Sequence, residues 1–281
     1  MEKSLRRGFK YRLKFSSAKL LKDLLPFIYE HDILTNTDYI FLPPYAFGFD
    51  AGAVRAKLGL TAPPIVKDGE AEREISRLGK IIKEYGIKDV LIDNIGDISL
   101  FKSIDSALNL HLDYGFNITN NFTLAALGGF GISSSVLSSE LNFAQIKDTV
   151  ARSAGEIGIY AYGRTTLMLT ENCLILNSGK CGKNKAAGAD CPKFSLRDRK
   201  GENFPVIAAD NHRNYVMNSV PIYLADRKKD LRALNISFAV VNFTTESKEE
   251  AEKILYDYYV RKGNFTKGQD EYPKKFTRLY K

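Results

Sequence analysis

The chain has 281 residues, 44% hydrophobic and 26% charged, with 41 Lys+Arg against 33 Asp+Glu and a formal charge of +8. That apolar share supports a full core and excludes disorder as the dominant state. No apolar run approaches the ~18 residues that span a bilayer, and residues 1–15 are charged where a secretory segment is apolar, so a cytoplasmic protein without membrane insertion is expected.

Three Cys in so long a chain do not make a disulfide framework; a reducing compartment favours metal or redox use. The positive excess suits polyanion contact. It concentrates between residues 180 and 200, where Lys180, Lys183, Lys185, Lys193, Arg197, Arg199 and Lys200 face only Asp190 and Asp198. A solvated loop and a phosphate-contacting loop both fit this run.

In chain order, strands are predicted at Tyr11–Phe15, Tyr39–Leu42, Pro64–Val66, Val90–Ile92, Leu108–Asn117, Ser133–Leu141, Ile157–Gly163 and Ile236–Phe243. Amphipathic helices are predicted over 70–86, with Ile75, Leu78, Ile81, Ile82 and Tyr85 on one face, and over 246–260, with Ala251, Ile254, Leu255, Tyr258 and Tyr259. Thr245-Glu246-Ser247 caps the second. Eight strands alternating with helices in a chain near the ~250 residues usual for the fold point to a (β/α)8 TIM-type barrel forming a single domain over 1–281. An open doubly wound sheet is the alternative. It lacks its phosphate-binding turn, because Leu127-Gly128-Gly129-Phe130-Gly131 precedes a strand instead of following one.

Residues 170–235 form an insertion between the seventh and eighth strands, far longer than a usual connection, and contain all three Cys. In a barrel such a loop hangs over the active-site mouth. Cys173, Cys181 and Cys191 stand among Gly, Lys, Asn and Asp, a setting that favours thiolate and metal binding over core packing. The spacing is not that of a zinc ribbon, and an iron–sulfur cluster fits as well. His212, the sole His of the insertion, is either the fourth ligand or a surface His in a polar turn.

Polar residues close the strands. Asn109, His111 and Asp113 alternate with Leu residues and point into the barrel at rising height, followed by Asn117 and Asn120. Asp93 with Asn94 closes strand four, Ser138, Glu140 and Asn142 strand six, and Tyr162 with Arg164 strand seven. Such clusters bind substrate or form a satisfied buried network. On the first reading Arg164 grips a carboxylate or phosphate, His111 and Glu140 handle protons, and Asp113, Asn117, Asn142 and Tyr162 position the substrate. No Ser-His-Asp order, HExxH or nucleophile elbow is present.

The run from Tyr162-Gly163-Arg164 to Glu171-Asn172-Cys173, then Leu196-Arg197-Asp198-Arg199-Lys200-Gly201 to Phe204-Pro205-Val206, then Met217-Asn218-Ser219-Val220-Pro221 to Asp226, resembles the peptidase U32, or collagenase-like, family. Asp113-Tyr114-Gly115-Phe116-Asn117 and Ser139-Glu140-Leu141-Asn142 extend the likeness, which is to the C-terminal module of the long two-module members. The resemblance implies a barrel with its site on the C-terminal face. It also implies an oxygen-independent hydroxylase carrying a four-iron four-sulfur cluster (4Fe-4S) on four Cys. Its substrate is transfer RNA, ribosomal RNA or a quinone precursor, and prephenate serves as oxygen donor in some members. Cys173, Cys181 and Cys191 match three cluster ligands; where the fourth Cys belongs, this chain has Ala208-Ala209-Asp210-Asn211-His212. A protease, as the family name says, and a non-catalytic partner of a complete paralogue are the other functions implied. Starting at Met1 just before the first strand, the chain is expected to be a standalone copy, a split gene or half of a two-protein enzyme.

Overall fold

The computed structural model describes residues 8–179 and 191–261. Eight parallel strands close into a barrel: β1 (Lys10–Phe15), β2 (Thr37–Leu42), β3 (Leu58–Thr61), β4 (Asp89–Ile92), β5 (Asn109–Leu112), β6 (Ser134–Val136), β7 (Glu156–Gly163) and an eighth, Phe238–Phe243, which pairs with both β1 and β7. The β6–β7 pairing completes the circle. The helices packed outside are α1 (Ala18–Glu30), α2 (Ala71–Tyr85), α3 (Gly96–Ile104), α4 (Asn121–Gly128) and α5 (Phe143–Ala151). This is the (β/α)8 barrel.

The third strand lies at Leu58–Thr61 and not at Pro64–Val66. Pro63 and Pro64 have no N–H to give a ladder, and the last barrel bond here is Ala62 N–H to the Leu91 carbonyl. Gly59 weakens the β signal of the true strand, yet the barrel needs it: a Cβ there would come within 2.5 Å of the Phe41 ring, which fills the space. The fifth and sixth strands also stop early, at Leu112 and Val136, before a 3₁₀ turn at Tyr114–Phe116 and an irregular segment.

Between β7 and the eighth barrel strand the chain builds an antiparallel sheet from β8 (Thr166–Thr170), β9 (Phe194–Arg197), β10 (Asn203–Ala209) and β11 (Arg213–Met217), in the order β8-β11-β10-β9. A single turn, α6 (Leu174–Asn177), follows β8. The chain returns through β12 (Ile222–Tyr223), antiparallel to β7, and α7 (Lys228–Ala233) to the eighth barrel strand, here β13. The excursion therefore begins four residues before Thr170. The last helix, α8 (Lys248–Leu255), opens on a capping box between Ser247 and Glu250 and runs into a π turn at Tyr256–Val260.

On β1, Tyr11, Leu13 and Phe15 pack toward the helices, with Tyr11 against Tyr258 and Tyr259. Arg12 and Lys14 consequently point into the barrel. Two cations stand where branched apolar side chains usually fill the interior. We expect Gly59→Val to cost about 1–3 kcal/mol in urea denaturation, because Phe41 must leave its rotamer.

Candidate functional site

The barrel interior holds two polar layers. In the layer nearer the N-terminal ends of the strands, the Arg12 guanidinium is buried over the Phe238 ring, 3.5 Å from its centroid. It donates to Ser134 Oγ at 2.6 Å, Glu156 Oε2 at 3.1 Å and Asp38 Oδ2 at 3.4 Å. His111 joins this layer, with Nδ1 2.7 Å from Ser134 Oγ and Nε2 3.0 Å from Asp89 Oδ1. Burial, and the Arg12 charge after it, push the imidazole below its ordinary range against the pull of Asp89, so the ring is neutral at pH 7. Asp89 and Glu156 are the first residues of β4 and β7, which places His111 away from the mouth. His111, expected to handle protons, sits here within a buried hydrogen-bonded network in which Arg12 Nε has no partner.

Toward the mouth, Lys14 Nζ donates to Asp113 Oδ2 at 2.6 Å and lies 3.4 Å from the Tyr160 hydroxyl. That hydroxyl donates to both Asp113 oxygens, at 2.9 and 3.1 Å. Asp113 also caps the following turn, accepting from Tyr114 N–H at 2.9 Å. Beside them Asp93 Oδ1 accepts from Gly115 N–H at 2.8 Å. A side chain at 115 would run into the Asp93 carboxylate, so glycine is required. Tyr114 meets Tyr160 edge to face at 5.1 Å and accepts from Thr166 N–H, the first residue of the inserted sheet.

Burial and the charge of Asp113 push the Asp93 carboxyl up to about 6, against the opposing pull of Lys14. For Lys14, burial opposes the charge, and Asp113 with Asp93 outweighs it, raising the ammonium above its ordinary value. The mouth thus holds one permanently paired cation and one carboxyl that exchanges a proton near neutrality. A cavity of about 80 Å³ lies over this layer, walled by Tyr45, Tyr114, Tyr215 and Met217 and reached by Lys14 and Asp93. A second cavity, of about 710 Å³, opens between the mouth and the inserted sheet and is lined by Ser17, Lys19, Cys191, Lys193, Pro205 and Thr245.

Of the residues singled out from sequence, Asp93 and Asp113 belong to the mouth layer. Arg164 spends Nη1 on the carbonyls of Asn218 and Ser219, clasping the chain where it leaves the inserted sheet, while its Nε is buried without a partner. Asn142 caps α5 in a capping box with Gln145. Asn117 adopts a left-handed conformation at φ 48° and accepts from Ser138 Oγ at 2.6 Å. Tyr162 packs against Phe243 and donates to Glu246 Oε1 at 2.9 Å. Glu140 is exposed and lines neither mouth cavity. Lys14, Tyr160 and Tyr215 were not anticipated. The signal for Lys14 was present, since Lys10, Arg12 and Lys14 alternate with Tyr11, Leu13 and Phe15 as polar and apolar residues do on β5.

Cys173 caps α6, its Sγ accepting from Leu176 N–H at 3.4 Å, and the next N–H, of Leu174, goes to Asn214 Oδ1 at 2.6 Å. It is buried in a small cluster with Ile175, Val206, Ala208 and Val216, against which Cys191 packs. Cys181 lies outside the described residues. His212 is exposed and left-handed at φ 59°, two residues before the Asn214 that holds Leu174. Among the described residues no three His, Cys, Asp or Glu side chains converge as a metal site.

The model of peptidase family U32 matches residues 52–278, most of the chain. The chain belongs to peptidase family U32. No curated protein matches it. Among solved structures, that of the U32 peptidase Mk0906 is similar at 11% identity and TM-score 0.41, over 59% of this chain and 73% of that one. A native KDPGal structure aligns at 10% identity and TM-score 0.46 over 92% and 95%, and a mandelate oxidase mutant with an FMN adduct at 8% and 0.46 over 89% and 71%. No helix among the described residues of this U32 chain is long and apolar enough to cross a membrane.

Two carboxyls detected by NMR, those of Asp93 and Asp97, should titrate near 6 in the wild type, and only one should remain in that range in Asp93→Asn. Because its folded value exceeds its unfolded one, Asp93 makes stability fall as pH rises from about 4 through 6. In Lys14→Met the Asp93 titration should move upward, and stability at pH 7 should drop by about 3–5 kcal/mol as Asp113 loses its buried partner.

Proposed function

We propose that this U32 chain is an oxygen-independent hydroxylase, or a subunit of one, that acts on an RNA base and carries an iron–sulfur cluster of the 4Fe-4S type. The observation that supports it is the pairing of Cys173 with Cys191 in one small cluster of the inserted sheet, where Cys191 also lines the larger cavity above the barrel mouth. The fit to a cluster rests on these two thiols. Both are free, and Cys173 already accepts a backbone N–H in the manner of a ligating thiolate.

Cys173, Cys181, Cys191 and His212 are the residues that hold the cluster in this reading, which when bound supplies one-electron chemistry. The protein side is simpler. Lys14, fixed by Asp113 and Tyr160, presents positive charge on the barrel axis, and Asp93 accepts or returns a proton near neutral pH. Tyr45, Tyr114 and Tyr215 keep water from the reacting group. Lys19, Lys193 and Lys248 line the larger cavity and suit the phosphates of an RNA strand. A small carboxylic acid such as prephenate is the oxygen donor in this reading, and a second chain of the same family is the partner.

Anaerobically purified protein should be brown and contain iron and sulfide. Cys173→Ala should abolish both, and His212→Ala should lower them. Iron-free, colourless wild type would overturn the reading. RNA binding should weaken about 10³-fold or more between about 50 and 200 mM salt if six or more phosphates are held; salt-independent binding would remove RNA as the substrate.

Peptidase action is the second reading, favoured by the two neighbouring carboxylates Asp93 and Asp113, the minimum for acid–base hydrolysis of an amide. It predicts casein cleavage that persists through repurification and is lost in Asp93→Asn.

A further inference from the structure

The small axial cavity has more unspent hydrogen-bonding capacity than a structural void needs. Asn242 on β13 is 5% exposed, lines the cavity and has no hydrogen-bond partner among the described residues. Its neighbour in register on β1 is Lys14, so the two side chains stand together on adjacent strands. Lys14 spends its bonds on Asp113 and Tyr160 and keeps a third N–H. Asp93 uses Oδ1 on Gly115, and its Oδ2 has no partner among the described residues. The hydroxyls of Thr61 and Thr244, both cavity-lining, are buried and unsatisfied. Each of these two buried orphan hydroxyls costs about 1–3 kcal/mol, and with the unspent Asn242 amide, Lys14 N–H and Asp93 oxygen beside them they describe a site waiting for a polar ligand.

The walls set the ligand's shape. Tyr45, Tyr114 and Tyr215 with Pro43, Ile207 and Met217 make an apolar, largely aromatic enclosure, which suits a flat ring. The polar groups set its edge. Lys14 and Asn242 present N–H donors side by side, whereas Asp93 presents an acceptor at the end of β4. A carboxylate-bearing ring satisfies the donors but meets Asp93 as a like charge. A ring carbonyl next to a ring N–H satisfies both sides without any net charge.

We propose that the axial cavity is a binding site for a planar lactam, its carbonyl accepting from Lys14 and Asn242 and its adjacent ring N–H donating to Asp93. The class includes cyclic amides and the lactam edges of uracil, hypoxanthine and guanine. The site deepens the reading above, on which it rests for the identity of the physiological ligand, by stating which edge of a base enters the barrel; cytosine and adenine lack that edge. Thr61 and Thr244 are left to select substituents on the ring.

The test uses the full chain, purified in air with iron removed, so that it is independent of any cluster. Calorimetric titration with 2-pyridone should give saturable one-site binding, and 1-methyl-2-pyridone, which keeps the carbonyl but lacks the N–H, should bind at least about tenfold more weakly, the loss of one hydrogen bond to a charged acceptor. Asn242→Leu should weaken 2-pyridone to a similar degree. The two-probe comparison needs only wild type, so it stands if that variant fails to fold. Equal binding of both pyridones, tighter binding of benzoate than of 2-pyridone, or no binding of either lactam would each overturn the proposal. Lactam binding by a chain that never holds iron would keep this site and discard the hydroxylase; iron and sulfide without lactam binding would do the reverse.

Discussion

Burial of two cations on a single strand governs this barrel. Arg12 and Lys14 project inward from β1, and neither is tolerable in a dry interior without compensating carboxylates and hydrogen bonds. Arg12 is answered by Asp38, Glu156 and Ser134, with His111 and Asp89 completing that layer. Lys14 is answered by Asp113 and Tyr160. The two sets come from β2, β4, β5, β6 and β7, so pairing the cations of β1 ties together most of the circle. Removing one partner leaves its opposite charge stranded, which is why such interiors are rigid.

The same constraint divides structure from chemistry. In the layer around Arg12 every carboxylate has a donor, and the neutral His111 is enclosed by rings. Nearer the mouth there is one carboxylate too many. Lys14 pairs with Asp113, and burial together with the Asp113 charge lifts the proton affinity of Asp93 toward neutrality against the pull of that already engaged cation. An excess acid at the C-terminal end of a barrel, beneath an inserted sheet, has the composition of a reactive site.

The inserted sheet contributes in two ways. Through β11 it brings Tyr215 and Met217 over the axial cavity, and through β10 and α6 it gathers Cys173 and Cys191 beside the larger one. Arg164 and Tyr114 pin it to the barrel at Asn218, Ser219 and Thr166. Arg164, expected to grip a substrate, thus secures the inserted sheet, and the mouth layer draws on Lys14 of β1, Asp93 beyond β4, Asp113 beyond β5 and Tyr160 of β7.

The sequence by itself determined the barrel, since seven of its eight strands carry a recognisable period-2 or apolar pattern. It determined the long excursion before the eighth strand and the U32 membership, because ordered motifs survive without any knowledge of contacts. The third strand escaped because Leu58-Gly59-Leu60-Thr61 is short and its glycine is explained only by the Phe41 ring lying across it. Asn142, Asn117 and Arg164 looked like ligands because helix caps, left-handed turns and chain clasps use the same polar residues as binding sites. Only the tertiary structure decided which inward-facing groups cancel and which remain. Pairing depends on closing the barrel, which brings Lys14 of β1 to Asp113 beyond β5, 99 residues away, and leaves Asp93 with a proton to exchange.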